Sequence, residues 1–167
     1  MTSLTGRVRR FGDNIDTDTI TPSSILYLPM SELMKHTFEP VFPEFYRTVR
    51  QGDVIVAGNN FGCGSSREQA TAVMKELGIQ YIVCESMARI YYRNCIALGL
   101  YPIMSKGVSL VFEEGDEIKI DTEKGMLENV NTKRFTNFKP LSIVPQQIVD
   151  CGGILPLLKA ITDKENK

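Results

Sequence analysis

Apolar and polar positions change rhythm three times along the chain. The middle is the most regular stretch. Val54-Ile55-Val56-Ala57 is an unbroken apolar run, as expected of a strand covered on both faces. We read Asp53 to Ala57 as a strand, Gly58 to Ser65 as a glycine-rich loop, and Ser66 to Leu77 as a helix ended by Gly78 in the C′ position. Gln80 to Cys84 is a second strand, Met87 to Leu98 a helix ended by Gly99, and Tyr101 to Met104 a third strand. Strand-helix-strand-helix-strand with short links predicts a parallel sheet flanked by helices.

The flanks read differently. Gly6 to Phe11 predicts a short strand, closed by the turn-rich Gly12-Asp13-Asn14 and the polar Asp16-Thr17-Asp18. Between Thr21 and Pro43, Pro22, Pro29 and Pro40 leave room for one short helix, about Ser31 to Thr37 with Ser31 as N-cap. The rest of that segment reads as loop that is free to move. After Gly107, Ile118 and Ile120 alternate with charged neighbours over Glu117 to Asp121, and Met126 to Asn131 follows beyond Gly125, which predicts antiparallel strands. Pro145 to Ile161 reads as helical, interrupted at Gly152-Gly153 and at Pro156. No internal repeat divides the chain. Residues 1–167 therefore read as a single α/β domain, a mainly parallel sheet flanked by helices with a C-terminal antiparallel β and helical portion.

Composition narrows the function classes. Of 167 residues 43% are apolar and 23% charged, with a formal net charge of -1. That is ordinary for a globular protein and gives no basic excess for nucleic acid. The apolar runs are too short to span a bilayer, and Arg7, Arg9 and Arg10 have no apolar stretch behind them, so neither a membrane span nor a secretory signal is expected. The expectation is a cytoplasmic protein. Cys63, Cys84, Cys95 and Cys151 are never closer than eleven residues, so no paired motif clips a metal. They are expected to be free thiols, with Cys84 and Cys95 in the core. The single histidine, His36, is the one imidazole available to a triad or a zinc site; it receives no role.

Chemistry concentrates in Gly58-Asn59-Asn60-Phe61-Gly62-Cys63-Gly64-Ser65-Ser66-Arg67-Glu68. Glycines let the backbone approach a ligand closely. A strand-to-helix turn offers free N–H groups and the positive end of a helix dipole to an anion. Ser65, Ser66 and Arg67 add two hydroxyls and a fork that grips a carboxylate. Arginine stands where a dinucleotide fingerprint needs its third glycine, no GK[ST] follows, and the nucleophile-elbow pattern is absent. Ser65 and Glu68 also have capping-box spacing, so the serine could simply cap a helix. A cap, however, needs neither the glycines nor Arg67.

This loop resembles the catalytic-loop motif of the aconitase superfamily's swivel domain, in particular the free-standing small subunits of isopropylmalate isomerase and homoaconitase. The likeness includes Gly12-Asp13-Asn14-Ile15-Asp16-Thr17-Asp18-Thr19-Ile20, Ala88-Arg89-Ile90-Tyr91-Tyr92-Arg93-Asn94 and Gly99-Leu100-Tyr101-Pro102-Ile103, and so covers roughly residues 6 to 105. The resemblance implies a hydro-lyase that removes water from a hydroxy-acid and adds it back at the neighbouring carbon. It implies a partner too, a large subunit carrying a [4Fe-4S] cluster, in a heterodimer or heterotetramer active only when assembled. By the same resemblance Ser65 is the base at carbon, and Gly64, Ser66 and Arg67 contact substrate. Asp18 is a site aspartate that pairs with a histidine of the cluster-bearing part, its alternative being a turn aspartate bonding local backbone. Arg89, Arg93 and Asn94 are read as packing and a solvated face. Cys63 is read as small and structural, its place near a helix end tending to lower its pKa.

The resemblance also locates a substrate-specificity loop after the Asp-Thr-Asp segment. Here it reads Ile25-Leu26-Tyr27-Leu28, with Ile25-Leu26 in place of the family's tyrosine-leucine pair and no basic residue. A carboxylate tail buried there would lack a partner. The expectation is therefore an alkyl-substituted malate: 3-isopropylmalate and 2-isopropylmalate interconverting through isopropylmaleate, as in leucine biosynthesis, ahead of methylmalate, dimethylmalate or homocitrate-type substrates. A non-catalytic carboxylate- or phosphate-binding module is the alternative of another class.

Overall fold

Strand β1 (Ser3–Arg10) is the seam of a seven-stranded sheet. The computed structural model describes residues 3–165. The other strands are β2 (Val54–Ala57), β3 (Tyr81–Cys84), β4 (Tyr101–Met104), β5 (Glu117–Asp121), β6 (Met126–Asn129) and β7 (Phe135–Asn137), in the spatial order β4-β3-β2-β1-β5-β6-β7. The N-terminal part of β1, Ser3 to Arg7, pairs antiparallel with β5, and its last three residues, Val8 to Arg10, pair parallel with β2. One strand thus joins a parallel half (β1 to β4) to an antiparallel half (β1 and β5 to β7). The predicted α/β architecture is present, its two halves hydrogen-bonded into one sheet.

Three four-residue helices precede the regular part: α1 (Thr17–Ile20), α2 (Met30–Leu33) and α3 (Phe45–Thr48). Helices α4 (Gln69–Glu76) and α5 (Arg89–Leu98) are the crossovers of the parallel half, and α6 (Ile143–Asp150) and α7 (Ile154–Glu165) close the chain. The apolar run of β2 is explained by its neighbours. Ile55 and Ala57 enter a core with Ala70, Val73 and Met74 of α4 and Cys95 of α5, whereas Val54 and Val56 enter a second core with Ile118, Ile120 and Leu127. Both faces of the strand are covered, so every position must be apolar.

Several expectations need correction. The segment between Thr21 and Pro43 is no freely moving loop, because Leu33 and Phe38 are buried in the first core. Phe11 meets Phe38 at 4.1 Å between ring centroids, and Phe38 meets Phe45 edge-on at 4.9 Å. Ser31 is not an N-cap: α2 begins at Met30 behind Pro29, with a 3₁₀ turn over Met34–His36 after it. Helix α4 begins at Gln69 rather than Ser66, and α5 at Arg89 rather than Met87. Strand β6 stops at Asn129, whose Oδ1 accepts the N–H groups of Asn131 and Thr132 and turns the chain into the unpredicted β7. Pro156 does not interrupt the last helix. Pro145 in α6 and Pro156 in α7 are each the third helical residue, where the N–H would have no intrahelical acceptor. The break falls at Gly152-Gly153, as expected.

The arginines near the chain start have a structural task. Arg9 is only 2% exposed. Its Nη1 lies 3.3 Å from Asp53 Oδ2, its Nε donates to Glu114 at 2.9 Å, and its Nη2 donates to the Thr48 hydroxyl at 2.9 Å. The guanidinium lies 4.7 Å from the Phe42 centroid and 5.0 Å from that of Phe45. Arg7 grips the same Asp53 with two bonds of 3.1 and 2.6 Å. This network ties β1 to the start of β2 and to α3.

Candidate active site

The glycine-rich loop runs from the carboxyl end of β2 toward α4. Helices α4 and α5 both start at that edge of the parallel half, so residues far apart in sequence meet there. The loop is held on two sides. Gly62 N–H donates to Ile15 O at 2.7 Å, Thr17 N–H to Cys63 O at 2.9 Å, and the Thr17 hydroxyl to Ser65 O at 3.0 Å. On the other side Phe61 N–H donates to Ser86 O and Ala88 N–H to Phe61 O. Gly62 has φ +72°, and a Cβ there would clash with Cγ and Cβ of Tyr91. Gly64 has φ +92°. Neither position takes a larger residue without strain.

Beyond these glycines the chain opens a cleft of about 530 Å³ lined by Gly64, Ser65, Ser66, Arg67, Arg89 and Arg93, among others. Ser65 and Ser66 are exposed and Arg67 is half-buried. Among the described residues nothing hydrogen-bonds the Ser65 hydroxyl. The capping-box reading fails: Glu68 stands at the N-cap position of α4, with no side-chain cap bond. The same offset weakens the dipole argument, because Ser65 precedes the first helical residue by four positions and the dipole's effect fades within a turn. Loop amides and Arg67 are what remain near the hydroxyl.

Asp18 lies in the first turn of α1, which Asp16 caps by accepting Thr19 N–H at 2.6 Å. Arg67 Nη1 donates to Asp18 Oδ1 at 2.7 Å, and Ser23 N–H donates to the same oxygen at 2.8 Å. Asp18 therefore bonds local backbone and also joins Arg67 of the glycine-rich loop to the segment that begins at Ser23. Arg67 first, then Ser23, lowers the Asp18 pKa from 3.8 to about 2. A depressed carboxyl favours the folded state above its ordinary pKa and loses that contribution as pH falls through about 2. The Asp18 carboxyl followed by NMR in the purified subunit should titrate near 2, and Arg67→Ala should move that midpoint up toward 3.8. An unchanged midpoint in Arg67→Ala would show that the pair does not form in solution.

None of Ile25 to Leu28 lines this cleft. Ile25 and Leu28 pack against the first core, Leu26 is half-buried, and Tyr27 is 82% exposed. Cys63 departs from expectation: burial first, then Asp16, pushes its thiol pKa up, the reverse of helix-end activation. Cys84 and Cys95 are buried in the core as expected, the former with its pKa pushed up to about 12 by burial. Cys151 is exposed elsewhere. Among the described residues no three cysteine, histidine or carboxylate side chains converge on a metal position, so these residues do not fit an iron–sulfur cluster. His36 pairs with Glu39 at 2.7 Å on the surface. No helix is long and apolar enough to cross a membrane among the described residues.

Sequence reasoning missed the other wall of the cleft. Arg89, Arg93 and Asn94 of α5 face the same space as Ser65 and Arg67, rather than only solvent. The signal available was topological: successive crossover helices of a parallel sheet begin at one edge.

Fold and cleft together define an α/β protein with hydroxyls and a guanidinium lining a cleft at the carboxyl edge of a parallel sheet. Residues 10–107 match the family of the aconitase C-terminal domain, and the chain belongs to that family. It is 46% identical, over the whole of both chains, to the 3-isopropylmalate dehydratase small subunit of Nautilia profundicola. It is 45% identical to the methanogen homoaconitase small subunit of Methanothermobacter thermautotrophicus, over 91% of this chain and 88% of that one. It is 42% identical to the isopropylmalate/citramalate isomerase small subunit of Methanocaldococcus jannaschii, over 93% and 94%. The crystal structure of a 3-isopropylmalate dehydratase from the latter organism superposes with a TM-score of 0.93 at 36% identity, covering 99% of this chain and 98% of that one.

Proposed function

We propose that this chain is the small subunit of a hydro-lyase of the 3-isopropylmalate dehydratase type, working with a large subunit. The observation that carries the reading is the exposed Ser65 hydroxyl beside Arg67 on a loop built for an anion. Ser65 takes a proton from the substrate carbon as the C–H electrons form the double bond and hydroxide leaves the neighbouring carbon. It returns the proton when water adds in the opposite sense. A serine is a weak base unless its anion is stabilised, and loop amides with Arg67 are the groups that do so here. Arg67 and Ser66 hold a carboxylate, with Asp18 keeping the Arg67 fork in place. We assign the [4Fe-4S] cluster, which supplies Lewis-acid chemistry when present, to the large subunit.

Relatives of nearly equal identity carry three different substrate names, so overall similarity does not choose among them. The loop does. No Lys, Arg or His lies between Thr21 and Ser31; Tyr27 is its exposed large side chain, with Leu26 half-buried beside it. Such a surface suits an alkyl group and leaves a third carboxylate unpaired. We therefore propose an alkylmalate substrate, isopropylmalate first. Paired anaerobically with its own large subunit, the chain should turn over isopropylmalate, citramalate or dimethylmalate about 10–100-fold more efficiently than homocitrate. Preference for homocitrate would overturn the loop argument. Anion binding by the isolated chain, with no turnover in any pairing, would favour a simple binding module.

A further inference from the structure

One wall of the cleft is not used by this mechanism. Arg89 and Arg93 are exposed and sit one helical turn apart on α5, with Ile90, 50% exposed, completing a triangle at i+1 and i+4. Among the described residues neither guanidinium meets a carboxylate or any other hydrogen-bond partner. Arg67, by contrast, is matched by Asp18. No Asp or Glu lines the cleft. In a chain of net charge -1, two unmatched positive charges are therefore concentrated beside an exposed apolar side chain. Like charges at this spacing repel each other in the isolated helix, a cost that carboxylates brought from outside remove.

The geometry points to a macromolecular contact: we propose that the Arg89–Ile90–Arg93 face of α5 docks the large subunit, receiving acidic side chains of that subunit set around an apolar one. This rests on the hydro-lyase reading. A small diacid would use the hydroxyls and guanidinium of the Ser65–Arg67 side and would leave Ile90 in water. A protein surface covers Ile90 and pairs both arginines at once. Arginine around an apolar centre is the composition of an energetically important interface patch. The face is also continuous with the loop that the partner has to reach.

The test is association of full-length chains, measured by sedimentation or calorimetry at low and moderate salt. The double variant Arg89→Glu/Arg93→Glu should bind the large subunit about 30-fold more weakly than the wild type. The wild-type affinity should fall with salt, and that dependence should flatten in the variant. Ile90→Ser should weaken binding without changing the salt dependence. If the double variant loses its folded circular dichroism signal, Arg89→Gln/Arg93→Gln gives the same comparison with less repulsion. Unchanged association with a raised KM for the alkylmalate would assign the arginines to substrate capture and overturn the proposal. Unchanged association and unchanged KM would return them to a solvated face. In both cases a wild-type pair that turns over alkylmalate leaves the hydro-lyase reading standing; a wild-type pair that neither associates nor turns over removes both.

Discussion

Ser65→Ala, assembled with its large subunit, is expected to lower kcat by about 10²–10⁴-fold, the range for loss of a positioned proton-transfer group. KM should change little, because the proposed carboxylate grip of Ser66 and Arg67 is left in place and the lost contact matters mainly in the transition state. The variant should fold normally. Ser65 is exposed, among the described residues its hydroxyl supports no neighbour, and the bond that holds this residue comes from Thr17 to the Ser65 carbonyl, which alanine retains. Partner affinity should therefore be unchanged. Steady-state kinetics with parallel binding measurements decide the matter. A variant retaining a tenth or more of wild-type kcat would remove Ser65 from proton transfer and leave the cleft as a binding site.

Asp53→Ala is the change with the largest expected effect on folding. Asp53 is 3% exposed and faces two guanidinium groups. Its Oδ2 accepts Arg50 N–H as well, at 3.0 Å. Deleting the carboxylate leaves Arg9 buried against Phe42 and Phe45 with one carboxylate fewer, and removing one partner of a buried pair costs about 3–5 kcal/mol. Glu114 and Thr48 still contact Arg9, which places the expected value toward the lower end. Native domains are stable by about 5–15 kcal/mol, so the loss is a large share of the total. Asp53→Asn keeps an acceptor and should cost less. Urea unfolding monitored by circular dichroism measures both. A loss below about 1 kcal/mol in Asp53→Ala would mean that desolvation had already offset the attraction.

These two residues show how unevenly the molecule could be read in advance. The strand-loop-helix order of the parallel half was written in local pattern: an apolar run, glycines, a helical period ended by Gly78, and the same again ended by Gly99. The loop's chemistry was equally visible, because glycine, serine and arginine crowd one turn whatever surrounds it. Boundaries were not. The capping-box spacing at Ser65 and Glu68 suggested a helix from Ser66, three positions before the chain adopts one at Gln69, since spacing alone does not reveal that the loop is bound to Ile15 and Thr17 instead.

Three features depended on the fold alone. Phe38 looks like a loop residue between prolines, yet it fills the first core, because burial there depends on Phe11 and Phe61 arriving from other parts of the chain. Arg9 looks like a surface charge and is buried, because Asp53, distant in sequence, is carried beside it by the β1–β2 pairing. Arg89 and Arg93 look like a solvated helix face and enter the cleft, because parallel crossovers bring the starts of α4 and α5 to one edge. The sequence by itself determined the local elements and the chemistry of the Gly62-to-Arg67 turn, which arise from short-range backbone and side-chain preferences. Only the tertiary structure decided which distant charges and rings meet, because those contacts follow from strand order, and no local pattern encodes strand order.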